Sequence, residues 1–207
     1  PKPLQVQPSP VVSNNCFDNL CDAISLVSKS NNDLSVFQLN VRGLCDINKF
    51  NLLCGVIDSF NCKFDLIVLS EVKLKASHPI PLYKMSGYTC YSCLRHGSGG
   101  GGLLVFVSDH LTVENFSSAS TTFEKIHLTF STGSYRLRLV AFYRPPVPSN
   151  LQSFLDELED VLNSNPCKTI IVGDVNINNS PSDSASTAYD QLLSSFGYMV
   201  CNSYATR

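Results

Sequence analysis

A chain of 207 residues has room for one domain with a substantial core. Its 17 acidic and 15 basic residues leave a formal charge of -2, which excludes a bulk attraction to nucleic acid or to an anionic membrane, so that any polyanion must be held locally. No apolar run approaches the roughly 18 to 20 residues of a membrane span, and the opening PKPLQVQPSP lacks the apolar centre of a signal peptide, so a soluble chain with no membrane partner is expected.

The first dozen residues are rich in proline and polar groups and offer nothing to pack, while Phe17, Leu20, Ile24 and Val27 recur at helical spacing. Residues 1–33 therefore read as a leader, partly disordered, with one candidate helix. From Leu34 the pattern becomes regular. LSVFQLN reads as a strand, and Ile47, Phe50, Leu53, Cys54 and Ile57 mark a helix behind it. DLIVLSE is the next strand, and the stretch around Cys90 and Cys93 is a strand with buried thiols. GLLVFVS, FEKIHLTF and YRLRLVAFY follow as strands joined by turn-rich segments. Leu151, Phe154, Leu155, Leu158 and Leu162 make a strongly periodic helix before KTIIVGD, an apolar strand that runs into an acid. Strands dominate the middle and alternate with helices at the ends, which predicts an α/β fold: a layered sandwich of two packed mixed sheets flanked by helices. Nine cysteines, an odd number in a chain too long to depend on staples, read as buried free thiols in a reducing compartment, hence an intracellular protein, nuclear or cytoplasmic.

What ends the apolar strands is chemically uniform. Asn40 ends the first, Glu71 the second, Tyr143 the sixth, and Asp174 with Asn176 the seventh. Open α/β sheets place ligands beyond the carboxyl ends of their strands, so these residues are expected to converge on one crevice. Two carboxylates, two amides and a phenol form an oxygen-rich set suited to Mg²⁺, or to Mn²⁺ in its place, and contain no thiolate or paired histidine of a zinc site.

At these residues the chain resembles the endonuclease/exonuclease/phosphatase superfamily, and more closely the apurinic-endonuclease-like domain of non-LTR retrotransposon polyproteins. The resemblance is carried by LNVRGL around Asn40, LSEVKL around Glu71, GGGGLLVFV from Gly99, AFYRPP around Tyr143 and VGDVNIN around Asp174 and Asn176, and covers residues 34–207. It implies that Glu71 binds the divalent metal and that Asp174, helped by Asn176, orients or deprotonates the attacking water. Asn40 joins the metal and phosphate network, and Tyr143 supports the phosphate or the nucleophile. A phosphodiester is a poor electrophile until a metal neutralises developing charge and a water stands in line, and a carboxylate acts as base only within hydrogen-bond reach of that water.

Plainer readings stand beside these. Asp174 and Asn176 can form an Asx turn after a strand, Glu71 can be a solvated residue beside Lys73, and Tyr143 can pack under the following prolines. The glycine run at 99–102 lacks the Lys-Ser/Thr ending of a P-loop and reads as a mobile entry to a strand. Cys90, Cys93 and His96 have a faint metal-ligand spacing that no second pair completes. Ser108, Asp109 and His110 carry the letters of the family's terminal Ser-Asp-His, but stand too early in the order and read as a turn. The genuine terminal motif, and the Asp upstream of it, are expected beyond Arg207, so the domain reads as C-terminally incomplete, with its last strands missing.

Arg42, Lys73 and Arg144 are candidates to hold substrate phosphate, with Lys75 and Arg95 adding to a local cationic excess, which makes DNA the first choice of partner. The two arginines of YRLRL read as a solvated strand face. Three functions remain open: a Mg²⁺-dependent DNA-nicking endonuclease beside a reverse transcriptase domain of the same polyprotein, a phosphatase or lipid phosphodiesterase of the same superfamily, and a non-catalytic binding or scaffold remnant.

Overall fold

The computed structural model describes residues 33–75, 77–95, 100–133, 135–147, 150–164, 167–177 and 183–200. The expected leader helix within Cys16–Val27 lies outside them. Sheet A contains β1 (Val36–Asn40), β2 (Leu66–Ser70), β3 (Tyr88–Cys93) and β4 (Leu103–Ser108) in the order β1-β2-β4-β3. Sheet B contains β5 (Thr112–Ser120), β6 (Glu124–Thr132), β7 (Tyr135–Tyr143) and β8 (Lys168–Asp174) in that order. Both are mixed: β1 and β2 are parallel, as are β7 and β8, and the remaining pairs are antiparallel. Helices α1 (Ile47–Asp58), α2 (Leu151–Asn163) and α3 (Ser184–Ser195) flank them, with a short 3-10 turn at Ile80–Leu82. The expected layered α/β sandwich is the fold observed.

Alternation along each strand builds the layers, because successive side chains point to opposite faces. In β2, Leu66 and Val68 face sheet B, where they meet Ile126, Leu128, Leu139 and Ala141; Ile67 and Leu69 face the other way, against Phe50 and Ile57 of α1. On the far side of sheet B, Phe142 and Phe123 pack with Phe154, Leu155, Leu158 and Leu162 of α2. Full burial of each such side chain contributes about 1.5–3 kcal/mol, so the three apolar layers hold the sandwich together. Asp46 and Asp183 cap α1 and α3, accepting hydrogen bonds of 2.9 Å from the backbone N–H of Asn48 and of Ala185. Among the described residues no helix is long and apolar enough to cross a membrane.

Two elements differ from expectation. β5 carries a run of Asn and Ser on an exposed outer edge, so it has no apolar alternation to announce it. Arg136 and Arg138 do not share a solvated face: Arg136 pairs with Glu114 at 2.7 Å, whereas Arg138 is 7% exposed and donates to the Val161 carbonyl beneath α2. The described cysteines, Cys45, Cys54, Cys62, Cys90, Cys93 and Cys167, are all free thiols, but of these only Cys93 is buried; Cys54, Cys62, Cys90 and Cys167 are half-buried and Cys45 is exposed.

Candidate active site

Strand direction decides which residues meet. β1 and β2 run together, so Asn40 lies in register with Ser70 and beside the Glu71 that follows it. β4 is antiparallel to β2 and enters the sheet opposite Ser70, which brings Gly100–Gly102 to the same end. In sheet B, β7 and β8 run together and place Tyr143 in register with Asp174, while antiparallel β6 begins with Glu124 opposite Tyr143. One rim of the sandwich thus collects Asn40, Glu71, Glu124, Tyr143 and Asp174 from both sheets.

The two sheets are joined at that rim by a hydrogen bond of 2.6 Å from Asn40 Nδ2 to Asp174 Oδ2, between residues separated by 134 positions. The other carboxylate oxygen, Asp174 Oδ1, accepts from the backbone N–H of Asn176 at 3.1 Å. Asn40 Oδ1 in turn accepts from the Arg42 N–H at 3.0 Å, so the amide that orients Asp174 is itself oriented. Gly173, in the strand before the carboxylate, packs so closely on β7 that a Cβ there would overlap the carbonyl oxygen of Phe142.

Arg144 governs the turn after Asp174. Its Nη1 donates to the Val175 and Asn176 carbonyls at 3.2 Å each, its Nη2 to the Val147 carbonyl at 3.1 Å, and its plane lies 5.5 Å from the Phe154 ring centroid. Asn176 Nδ2 returns a bond of 2.7 Å to the Arg144 carbonyl. At 4% exposure, with Nη1 and Nη2 turned to backbone carbonyls and Nε buried without a hydrogen-bond partner among the described residues, Arg144 departs from the expected phosphate contact. It holds the Asp174–Asn176 turn instead, and Asn176 is tied into that turn by both its side chain and its backbone.

Glu71 has a backbone φ of +57° and Lys73 of +56°, a left-handed conformation that ordinary side chains adopt at a cost. Neighbours on both sides hold them there. The carbonyls of Glu71 and Val72 accept from Gly43 and Leu44 at 2.7 and 2.8 Å, while the N–H groups of Val72 and Lys73 donate to Gly102 and Gly101 at 3.3 and 2.8 Å. Gly101 and Gly102 therefore brace the Glu71 turn, while Gly99 lies outside the described residues. Lys73 Nζ lies 2.8 Å from Glu71 Oε1. Arg42 (φ +49°) and Asn176 (φ +48°) complete the set of left-handed non-glycine residues among the described residues, and all four lie at this rim.

Tyr143 faces between the sheets at 4% exposure, and its hydroxyl is pushed up to about 12. Burial is the main cause, followed by the negative charges of Glu71, Asp174 and Glu124, with Arg95 opposing them. Among the described residues no cluster of three or more His, Cys, Asp or Glu is placed to hold a metal ion. One or two carboxylates with amide oxygens and room for water is the donor set of a hydrated Mg²⁺, and the Glu71 carboxylate with the Asn40 amide oxygen is of that chemical kind.

Sequence reasoning missed Glu124. It is completely buried, its carboxylate is ion-paired to Arg95 Nε, and its Oε2 has no hydrogen-bond partner among the described residues. Burial raises its pKa against the lowering effect of Arg95. The only sequence signal was an acid where β6 should start with an apolar residue. Arg95, expected near phosphate, is committed to this pair, whereas Arg42 and Lys75 are exposed. Ser108–His110 sits at the opposite end of the sandwich, in the turn after β4, as read from sequence; His96 lies outside the described residues.

The sequence profile described as the endonuclease/exonuclease/phosphatase family matches residues 37–206. A comparison with curated protein sequences returned no match. Similar solved structures include an AP endonuclease from Archaeoglobus fulgidus, 15% identical, with a TM-score of 0.60 over 78% of this chain and 70% of that one. The endonuclease domain of TRAS1, a telomere-specific non-LTR retrotransposon, is 16% identical, with a TM-score of 0.53 over 80% of this chain and 71% of that one. D. rerio TDP2, complexed with a single-strand DNA product, is 17% identical, with a TM-score of 0.54 over 79% of this chain and 64% of that one. Two TDP2 structures from C. elegans are spanned over 63% and 48% of their lengths. At these identities the likeness is one of fold.

Proposed function

The chain belongs to the endonuclease/exonuclease/phosphatase family, and we propose from that premise that it hydrolyses phosphodiesters in DNA as the nicking endonuclease domain of a retrotransposon-type polyprotein, beside a reverse transcriptase. The observation that carries this reading is the 2.6 Å bond between Asn40 and Asp174, which fixes a carboxylate from one sheet against an amide from the other, next to Glu71 and Tyr143. Bound Mg²⁺ supplies charge neutralisation at the phosphate. Glu71 and Asn40 would hold that ion. Asp174, oriented through both oxygens, accepts the proton of an attacking water within hydrogen-bond reach. Asn176 keeps the Asp174 turn in place, and Tyr143, neutral at ordinary pH, donates its hydroxyl proton in a hydrogen bond to the phosphate oxygen. Exposed Arg42, and Lys73 once released from Glu71, meet the DNA backbone.

The test is conversion of supercoiled plasmid to the open circle by the purified protein with Mg²⁺. Nicking that is lost in Asp174→Asn and on removal of the metal is expected; a protein that leaves plasmid intact but hydrolyses phosphoinositides overturns the choice of substrate. One observation favours the scaffold reading: the Lys73–Glu71 ion pair occupies the carboxylate assigned to the metal. Metal-independent DNA binding without nicking, unchanged in Glu71→Ala, is the result that reading requires.

A further inference from the structure

The geometry points to Glu124 as a positioning residue that sets the Glu71 carboxylate through the glycine segment. This rests on the reading of Glu71 as the metal ligand. Buried Glu124 pairs with half-buried Arg95 under Gly101, where the backbone has a φ of +111° and a Cβ would lie 2.9 Å from Glu124 Oε1 and 3.1 Å from Arg95 Cζ. Only glycine lets the chain rest on the pair at that distance. Gly101 then passes the position on: its carbonyl receives the Lys73 N–H at 2.8 Å, and the Gly102 carbonyl receives the Val72 N–H at 3.3 Å. Those two bonds pin one side of a turn in which Glu71 and Lys73 both have a left-handed backbone.

An apolar residue at position 124 would fill the core without an unpaired oxygen. The retained acid, with one oxygen on Arg95 and the other unpartnered in the interior, costs stability and is accounted for by the placement it enforces. Glu124 also faces Tyr143 across the β6–β7 ladder, so the pair underlies both the metal-binding turn and the phenol.

The experiment is titration of the 207-residue protein with Mn²⁺, read as the loss of the free-ion electron paramagnetic resonance signal, with metal-free melting temperatures measured in parallel. Glu124→Gln keeps the shape and removes the charge, and is expected to weaken Mn²⁺ binding by about 10- to 100-fold, as removal of supporting groups around metal ligands does. Gly101→Ala, pushed against the pair, is expected to act in the same direction. Glu71→Ala separates the two readings. If it binds Mn²⁺ as the parent does, the metal assignment falls and this inference with it. If it loses the ion while folded Glu124→Gln binds within about twofold of the parent, the role of Glu124 alone is overturned. Should Glu124→Gln not fold, Arg95→Lys, which keeps the charge and loses the guanidinium geometry, is titrated in its place against the same two outcomes.

Discussion

Asp65 and Glu71 bracket the same strand, β2, and the sandwich treats them in opposite ways. Asp65 is 1% exposed and surrounded by donors: the Ser35 backbone N–H at 2.6 Å, the Ser35 hydroxyl at 2.9 Å and His110 Nε2 at 2.8 Å, with Ser108 Oγ 2.9 Å from the other His110 nitrogen. That end is a clasp closing the loops between strands. At the other end, Glu71, Asp174 and Glu124 bring three negative charges to bear on one phenol, and the backbone holds four left-handed non-glycine residues. A buried carboxylate surrounded by donors stabilises a fold, whereas carboxylates gathered at one rim on a strained backbone cost stability.

Substitutions at the two ends should therefore fail in different assays. At the rim, Asp174→Asn is expected to reduce plasmid nicking by about 10²–10⁴-fold, the usual contribution of a positioned base, with a stability loss of only about 1 kcal/mol for the one accepted hydrogen bond it gives up. An equal loss of stability would erase the distinction between the ends. At the clasp, Asp65→Ala is expected to cost about 3 kcal/mol in urea unfolding by stranding the Ser35 and His110 donors, while the folded fraction nicks DNA at the parent rate.

A third substitution separates the layers from the ends. His127, beneath α2, has its pKa lowered to about 4, chiefly by burial and then by the charges of Arg138 and Lys125. The folded protein binds fewer protons than the unfolded chain between about pH 6.5 and 4, so stability present above that window is lost as pH falls through it, by up to about 3 kcal/mol. Melting curves from pH 7 to 4.5 should show a shallower decline in His127→Gln. Smallest of all, His110→Gln removes a half-exposed partner of Asp65 and is expected to cost under about 1 kcal/mol, without effect on nicking.

The fold was largely legible because its strands obey local rules. β2 and β4 are continuous apolar runs buried on both faces, and Phe154, Leu155, Leu158 and Leu162 trace a helical stripe that needs no tertiary context. β5 escaped because an exposed edge strand selects against the apolar signal by which strands are found. Asn40, Glu71, Tyr143 and Asp174 were visible as polar residues ending apolar strands, and the parallel pairings bring those ends together. Arg144 was misread because adjacency in sequence to a site says nothing of direction; its guanidinium turns inward to carbonyls. Glu124 left only a faint mark, since its partner Arg95 and the glycine it supports come from elsewhere in the chain and meet only in three dimensions.

Gly173 leaves no space for even a methyl group where β8 leans on the Phe142 carbonyl. Any library that diversifies VGDVNIN in search of new specificity must hold that codon fixed: an alanine would lever the strand away from β7 and carry Asp174 off the Asn40 amide. Variation can enter the loops around the rim, but the β7–β8 pairing that sets Asp174 against Asn40 leaves room at position 173 for a hydrogen atom alone.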